Sequence, residues 1–197
     1  PRMALAGKVG VILGVANGRS LAWGVAAGWA AAGAALSLGI HSARHRGSVE
    51  RLTAGWAVKP HIFECDVTSD AAVAAAFDAV ATAHGGRVHA LLHSIAHASA
   101  AAMRAPLLET SRADFAAAHD VSAYSLIAVT RAAAPLLAAA GGGSVQALSY
   151  IGATRVVPSY RVMGPAKASL EAVARQLAVE MVRLGVGWDG GLLWVFG

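Results

Sequence analysis

Cysteine is almost missing from this chain. Cys65 stands alone among 197 residues, so no disulfide can form within the chain, and a reducing, cytoplasmic setting fits. Charge is sparse too, with 14% Asp, Glu, Lys and Arg against 56% hydrophobic residues. Such a balance suits one well-cored domain over residues 1–197. The apolar content comes from Ala and Gly rather than from large side chains. No charged opening run precedes an apolar core, so no signal peptide is expected. No G-x-S-x-G elbow occurs, which argues against a serine hydrolase. Eight histidines are present, at 41, 45, 61, 84, 89, 93, 97 and 119, but no Cys–His cluster accompanies them and no metal site is expected. The Arg and Lys residues are scattered, without interleaved aromatics. The net charge of +5 therefore points to phosphorylated cofactors and acidic partners rather than to nucleic acid.

Between Ser20 and Ala43 there is no charged residue at all, a stretch long enough to cross a bilayer. Its Ala/Gly content and internal "AAGA" break instead suggest a buried helix followed by a buried strand, and no membrane partner is expected. The rest of the chain alternates in the same way. Strands are expected at 8–14, 35–40, about 60–65, 88–95 and over "SVQALSY". Helices are expected from Leu21 to about Ala32, over "SDAAVAAAFDAVATAHGG", over a long run capped by Ser111 with Asp114, and over 158–185. The pattern implies right-handed βαβ units. The expected fold class is α/β, a Rossmann-like doubly wound parallel sheet with helices on both faces and a ligand beyond the carboxyl ends of the strands.

Chemistry-bearing residues gather at those strand ends. The loop "GVANGRSLAWG" has Gly14 ending a strand, Gly18 for a tight turn and Ser20 opening a helix whose amides can face a pyrophosphate; such a loop is also often only a turn. After the second strand, "GIHSARHRG" lacks the Asp or Glu that commonly binds adenosine ribose hydroxyls. His41, Arg44, His45 and Arg46 stand there instead, either as a solvated basic loop or as a contact to a ribose phosphate. In "CDV", Asp66 can accept from an adenine amino group or serve a turn or helix cap. In "SYRVMGPAKAS", Tyr160 and Lys167 lie seven positions apart. That is about two helical turns, which would put both on one helix face. A tyrosine near a fixed cation can stabilise an oxyanion, because the cation lowers its pKa from about 10. A surface pair without function has the same spacing.

Taken together, "GKVGVILGVANGRSLAWGVA", "CDV", "LLHSIA", "AHDVSAYS", "LSYIGA" and "YRVMGPAKASLEA" resemble the enoyl-acyl-carrier-protein reductases. These form a divergent branch of the short-chain dehydrogenase/reductases, and the resemblance covers residues 6 to about 185. The Tyr-x6-Lys spacing is a mark of this branch, whereas Tyr-x3-Lys marks the carbonyl-reducing majority; here Met163 holds the closer position. The resemblance implies reduction of trans-2-enoyl thioesters by NADH or NADPH in fatty-acid synthesis, with enoyl-acyl carrier protein or enoyl-CoA as substrate and a tetrameric assembly. It implies that Tyr160 binds the thioester carbonyl, Lys167 the nicotinamide ribose hydroxyls, and that Tyr150 lines the substrate pocket. Cofactor positions would be Gly14, Ser20, Leu21, His41, Asp66, Val67 and Ile95, with Ala98 beside the substrate. His97 departs from the Phe of many relatives. A carbonyl-reducing relative and a non-catalytic dinucleotide-binding remnant are the alternatives.

After "VRLGV" the resemblance stops. Members of the family continue with a strand, a "GP" turn and a threonine near the cofactor, then further substrate-covering elements. This chain reads "GVGWDGGLLWVFG". A truncation or frameshift after about residue 186 is expected from the Gly/Trp-rich composition. The alternative is a genuine terminus in which "GLLWVFG" forms an edge or central strand.

Overall fold

A computed structural model describes residues 3–183 and 192–195. Six parallel strands form one sheet in the order β3-β2-β1-β4-β5-β6. They are β1 (Val9–Leu13), β2 (Ala35–Ile40), β3 (His61–Glu64), β4 (Ala90–His93), β5 (Ser144–Tyr150) and β6 (Leu192–Val195). The strand order turns outward in both directions from β1 and β4. A crevice therefore opens at the carboxyl ends of these two strands, where a doubly wound sheet holds its ligand. Leu192–Val195 pairs in parallel with β5 at the edge of the sheet. Residues 184–191, 196 and 197, on which the expected break in pattern falls, lie outside the described residues.

Each central strand is buried on both faces, and alternate residues feed opposite cores. Val11 and Leu13 of β1 join Leu91, Val145 and Ala147 beneath the helices α3 (Asp70–Ala83), α6 (Ser125–Ala139) and α7 (Met163–Arg183). Ile12, Leu92 and Leu148 point the other way, with Leu38, onto α1 (Leu21–Ala31) and α2 (Arg46–Leu52). Such runs read as continuously apolar because neither face meets water. The charge-free stretch 20–43 accordingly resolves into α1 and β2. The run Arg112–Ala139 is long and apolar enough to cross a membrane by length and composition, and half of its apolar window is buried.

Three elements depart from the expected pattern. The basic stretch after β2 is not a plain loop: a 3₁₀ turn at Ala43–His45 leads into α2. A short helix, α4 (Ala100–Arg104), follows β4. The long helix begins with α5 (Arg112–His119), capped by Ser111 Oγ accepting from the Asp114 amide, and then widens into a π-turn at Asp120–Tyr124 before α6. π-turns concentrate at functional sites because the extra residue redirects side chains.

The largest correction concerns Tyr160. α7 begins at Met163, so Tyr160 is not on the helix that carries Lys167. It sits in the preceding turn, where its amide donates to Val157 O at 2.9 Å and its carbonyl accepts from the Met163 amide at 3.0 Å. Arg161, with φ +46°, makes the bend between them. Pro165 falls in the first turn of α7, where its missing N–H costs nothing. Two helical turns therefore do not set the Tyr–Lys relation; the turn does.

Candidate active site

A cleft of about 550 Å³ opens at the carboxyl ends of β1 to β4 and is lined by Gly14, His41, Asp66, Val67 and Ile95, together with Arg44, His45, Ala96 and His97. Five of the eight expected cofactor positions thus share one cavity. Ser20, Leu21 and Lys167 are not among its lining residues. Ser20 instead donates its hydroxyl to Asn17 O at 2.8 Å and gives α1 no side-chain cap. Gly18 and Arg19 are the centre of the expected tight turn, which the Ser20 amide closes on Asn17 O at 3.1 Å. The φ of Gly18 stays outside the left-handed region, and the Asn17 side chain reinforces the turn by accepting from the Arg19 amide at 2.9 Å.

Gly14 does require glycine. Its φ is +100°, and a Cβ there would stand 2.0 Å from Ser94 O. The exits of β1 and β4 touch backbone to backbone, leaving a concave floor that a side chain would fill. Asp66 spends one oxygen on its own turn, with Oδ1 accepting from the Thr68 amide at 3.0 Å and hydroxyl at 2.7 Å. Those bonds hold its carboxyl below the ordinary carboxylate range. The expected cap of α3 is Ser69, not Asp66. Of the four basic or imidazole side chains after β2, His41, Arg44 and His45 line the cleft. Arg46 lies 4.0 Å from Glu64 in an ion pair.

At the end of β5 the surroundings become closed. The Tyr150 and Tyr160 rings pack with centroids 4.6 Å apart. Gly152 lies under them, and a Cβ there would fall 2.5 Å from the Tyr160 ring. Burial, then the neighbouring Tyr150, raises the Tyr160 pKa. The phenol is therefore not acidified by a cation, contrary to the sequence expectation; it stays protonated and can donate. Met163, 4% exposed, occupies the position a closer tyrosine would take. Ala98 packs against the same small cluster as Tyr160 and Met163. Lys167 is buried and donates from Nζ to Leu148 O at 2.6 Å. Loss of water lowers its pKa to about 8, against an opposing pull from Glu171.

Several buried polar residues here were not singled out from sequence. Ser122, in the π-turn, accepts from the His97 amide at 3.1 Å and lies 3.9 Å from Met163 Sδ. It ties the loop after β4 to the start of α7. Ser125 Oγ donates to Val121 O at 2.6 Å and so accepts from His93 Nε2 at 2.7 Å. His93 is therefore neutral and protonated on Nε2, while Nδ1 is buried with no hydrogen-bond partner among the described residues. Complete burial, then nearby Lys167, pushes its pKa down to about 3. Serines inside an apparently regular helix were the available signal. No group of three metal-ligating side chains occurs among the described residues.

Comparison with known proteins places the sequence and the fold in a family. The family model described as enoyl-(acyl carrier protein) reductase matches residues 14–187. An enoyl-[acyl-carrier-protein] reductase [NADH] of Nostoc sp. is 40% identical over 180 residues, covering 90% of this chain and 68% of the relative. A Staphylococcus aureus relative named for NADPH is 38% identical over 178 residues, with 90% of this chain and 68% of the relative covered. The crystal structure of the Aquifex aeolicus NADH enzyme superposes with a TM-score of 0.89 at 35% identity, over 95% of this chain and 72% of that one. The Bacillus cereus enzyme, solved with NADP+ and indole naphthyridinone, gives 0.89 at 37% identity with the same coverage. By sequence and by fold alike, this chain belongs to the enoyl-(acyl carrier protein) reductase family.

Proposed function

We propose that this chain reduces the carbon–carbon double bond of a trans-2-enoyl thioester, carried on acyl carrier protein or coenzyme A, with NADH or NADPH bound in the cleft over β1 to β4. The observation that carries the reading is the corner at β5. A protonated, half-buried Tyr160 packs against Tyr150 over Gly152, seven residues before buried Lys167, and Met163 fills the place of a closer donor.

The cleft suits a dinucleotide: Gly14 leaves a floor for a close-approaching pyrophosphate, and His41, Arg44 and His45 offer partners for ribose or its phosphate. Asp66, Val67 and Ile95 would line the adenosine side, Ser20 and Leu21 the entrance to α1. When bound, the nicotinamide supplies hydride to C3 of the enoyl group. Negative charge then develops on the thioester oxygen, two bonds further from the hydride-accepting carbon than the oxygen that a carbonyl reductase protonates. Tyr160, with its pKa raised, donates to that oxygen; a donor present only for developing charge lowers the barrier without tightening ground-state binding. Lys167 holds the ribose hydroxyls, and Tyr150 and Ala98 shape the acyl pocket.

The same reading includes a cytoplasmic protein and a homo-oligomer, tetrameric as the family resemblance implies, for which Phe115 and Tyr124, exposed on the long helix run, offer contact area. It also includes one dinucleotide-binding unit, truncated or frameshifted after about residue 186. Translating the gene downstream in the other frames for a strand followed by "GP" and threonine tests that point.

Oxidation of NADH with and without a short enoyl-CoA tests the activity. Tyr160→Phe should lower turnover by about 10²-fold or more while leaving cofactor affinity near the parent value. An unchanged turnover number would remove Tyr160 from the reaction.

A further inference from the structure

Lys167 is a charged group kept out of water, 6% exposed, with one hydrogen bond to a backbone carbonyl. A single carbonyl does not replace the water that an ammonium group loses on burial. One turn along α7, Glu171 is buried as well, 4% exposed, on the same helix face at the i,i+4 position. Its Oε1 accepts from Ser149 Oγ at 2.6 Å. Ser149 directly follows Leu148, whose carbonyl holds Lys167. Consecutive residues of β5 therefore fix both charges, the carbonyl taking the ammonium and the hydroxyl taking the carboxylate. The two ends are not in contact: the one ion pair within 4.0 Å among the described residues is Arg46–Glu64.

Among the described residues, no other element supplies a counter-charge. From β4, His93 presents a neutral imidazole that itself disfavours a proton beside Lys167. From the end of β5 and the turn before α7 come Tyr150 and Tyr160, and burial keeps the Tyr160 phenol protonated. Glu171 alone raises the pKa of Lys167 against the larger effect of burial. A carboxylate buried without a touching cation is costly to retain as mere packing, since an apolar side chain fills the same volume without the desolvation cost.

We propose that Glu171, anchored by Ser149, is a positioning residue that keeps Lys167 in its ammonium form, facing the ribose hydroxyls of the cofactor. This rests on the reading that Lys167 holds that ribose. Glu171→Gln keeps an oxygen for Ser149 and removes the charge. Its affinity for NADH, followed by fluorescence, should equal the parent's near pH 6, fall about fivefold near pH 8 and approach a tenfold loss near pH 9, as the lysine midpoint drops by about one unit from about 8. Glu171→Asp should recover most of the loss. The lysine itself is read without cofactor by NMR of lysine-labelled protein, where the Lys167 midpoint should fall by the same unit. If the Gln variant does not fold, Ser149→Ala keeps both charges but frees the carboxylate, and should give a smaller shift in the same direction.

An unmoved Lys167 midpoint overturns the proposal. So does weakening by one factor at every pH, the signature of lost packing, or a Lys167→Ala variant with undiminished NADH affinity. A parent protein that turns over no enoyl thioester would sink the reductase reading, while a pH-dependent shift in Glu171→Gln would still support this one.

Discussion

Over β1 to β3 the candidate site is walled by backbone and by exposed loops. Gly14 contributes a missing side chain, Asp66 a turn already satisfied by Thr68, and His41, Arg44 and His45 polar side chains on the cleft wall. Over β5 the walls are buried polar side chains, each held by one hydrogen bond: Lys167 to Leu148, Glu171 to Ser149, and His93 to Ser125 through Nε2. A region built from backbone shape fails abruptly when the shape is filled and tolerates surface change. A region built from buried charge responds instead to pH and to neutralisation, because the low dielectric makes each uncompensated group expensive.

Filling the backbone floor should have the largest effect. Gly14→Ala forces a side chain into a left-handed conformation and into Ser94 O, a backbone atom that cannot swing aside. The conformational strain alone costs about 1–2 kcal/mol, and the contact adds to it. We expect a loss of about 3 kcal/mol or more in urea unfolding, with cofactor binding lost as well. Retained NADH affinity would mean that the exits of β1 and β4 can part without harm, and would erase the contrast between the two regions.

The β5 corner should instead reveal itself through pH. Above pH 6.5 His93 is neutral in both folded and unfolded chains. Below it, the unfolded chain takes up a proton that the buried ring refuses, so stability falls by about 1.4 kcal/mol per pH unit. The loss continues until the ring itself protonates at about 3. From pH 7 to pH 5 this amounts to about 2 kcal/mol. His61, His84 and His89, also depressed by burial, add to the slope in any variant that keeps them. His93→Gln should therefore flatten the curve by one proton's share. An identical slope in both proteins would show that the ring exchanges protons freely in the folded state.

On the open side, Arg44→Ala should weaken NADPH binding about tenfold relative to NADH, in line with about 1.5–3 kcal/mol for a charge-assisted hydrogen bond. Equal losses for the two cofactors would mean that this guanidinium faces away from a 2′-phosphate.

How far the sequence reveals each region follows the same division. Strand positions, the capped helices and the glycine floor are legible, because hydrophobic period and turn chemistry act locally. The buried network is not. His93 sits in an apolar strand, Ser149 and Glu171 are far apart in sequence, and the partner of each is chosen by packing of α7 on β5. Tyr160 shows the limit most plainly. Its spacing to Lys167 suggested a shared helix face, but the helix starts three residues later, since the bend at Arg161 cannot be seen in a periodicity.

That bend supplies the smallest of the expected effects. Arg161, exposed and at φ +46°, holds a conformation that costs a residue with a Cβ about 1 kcal/mol or more and costs asparagine less. Arg161→Asn should stabilise the protein by about 1 kcal/mol, or roughly 2–4 °C in Tm for a chain of this size. Arg161→Gly relieves the same strain but frees the unfolded chain, at about 0.4–1 kcal/mol, so its net gain should be the smaller of the two. Arg161→Val, branched at Cβ, should be worse than the parent. If the ranking by thermal melt is Asn, Gly, Arg, Val, the turn carries real strain beside Tyr160. If Val melts no lower than Arg, the bend is free to relax, and what fixes Tyr160 is its packing on Tyr150 and Gly152 rather than the backbone before α7.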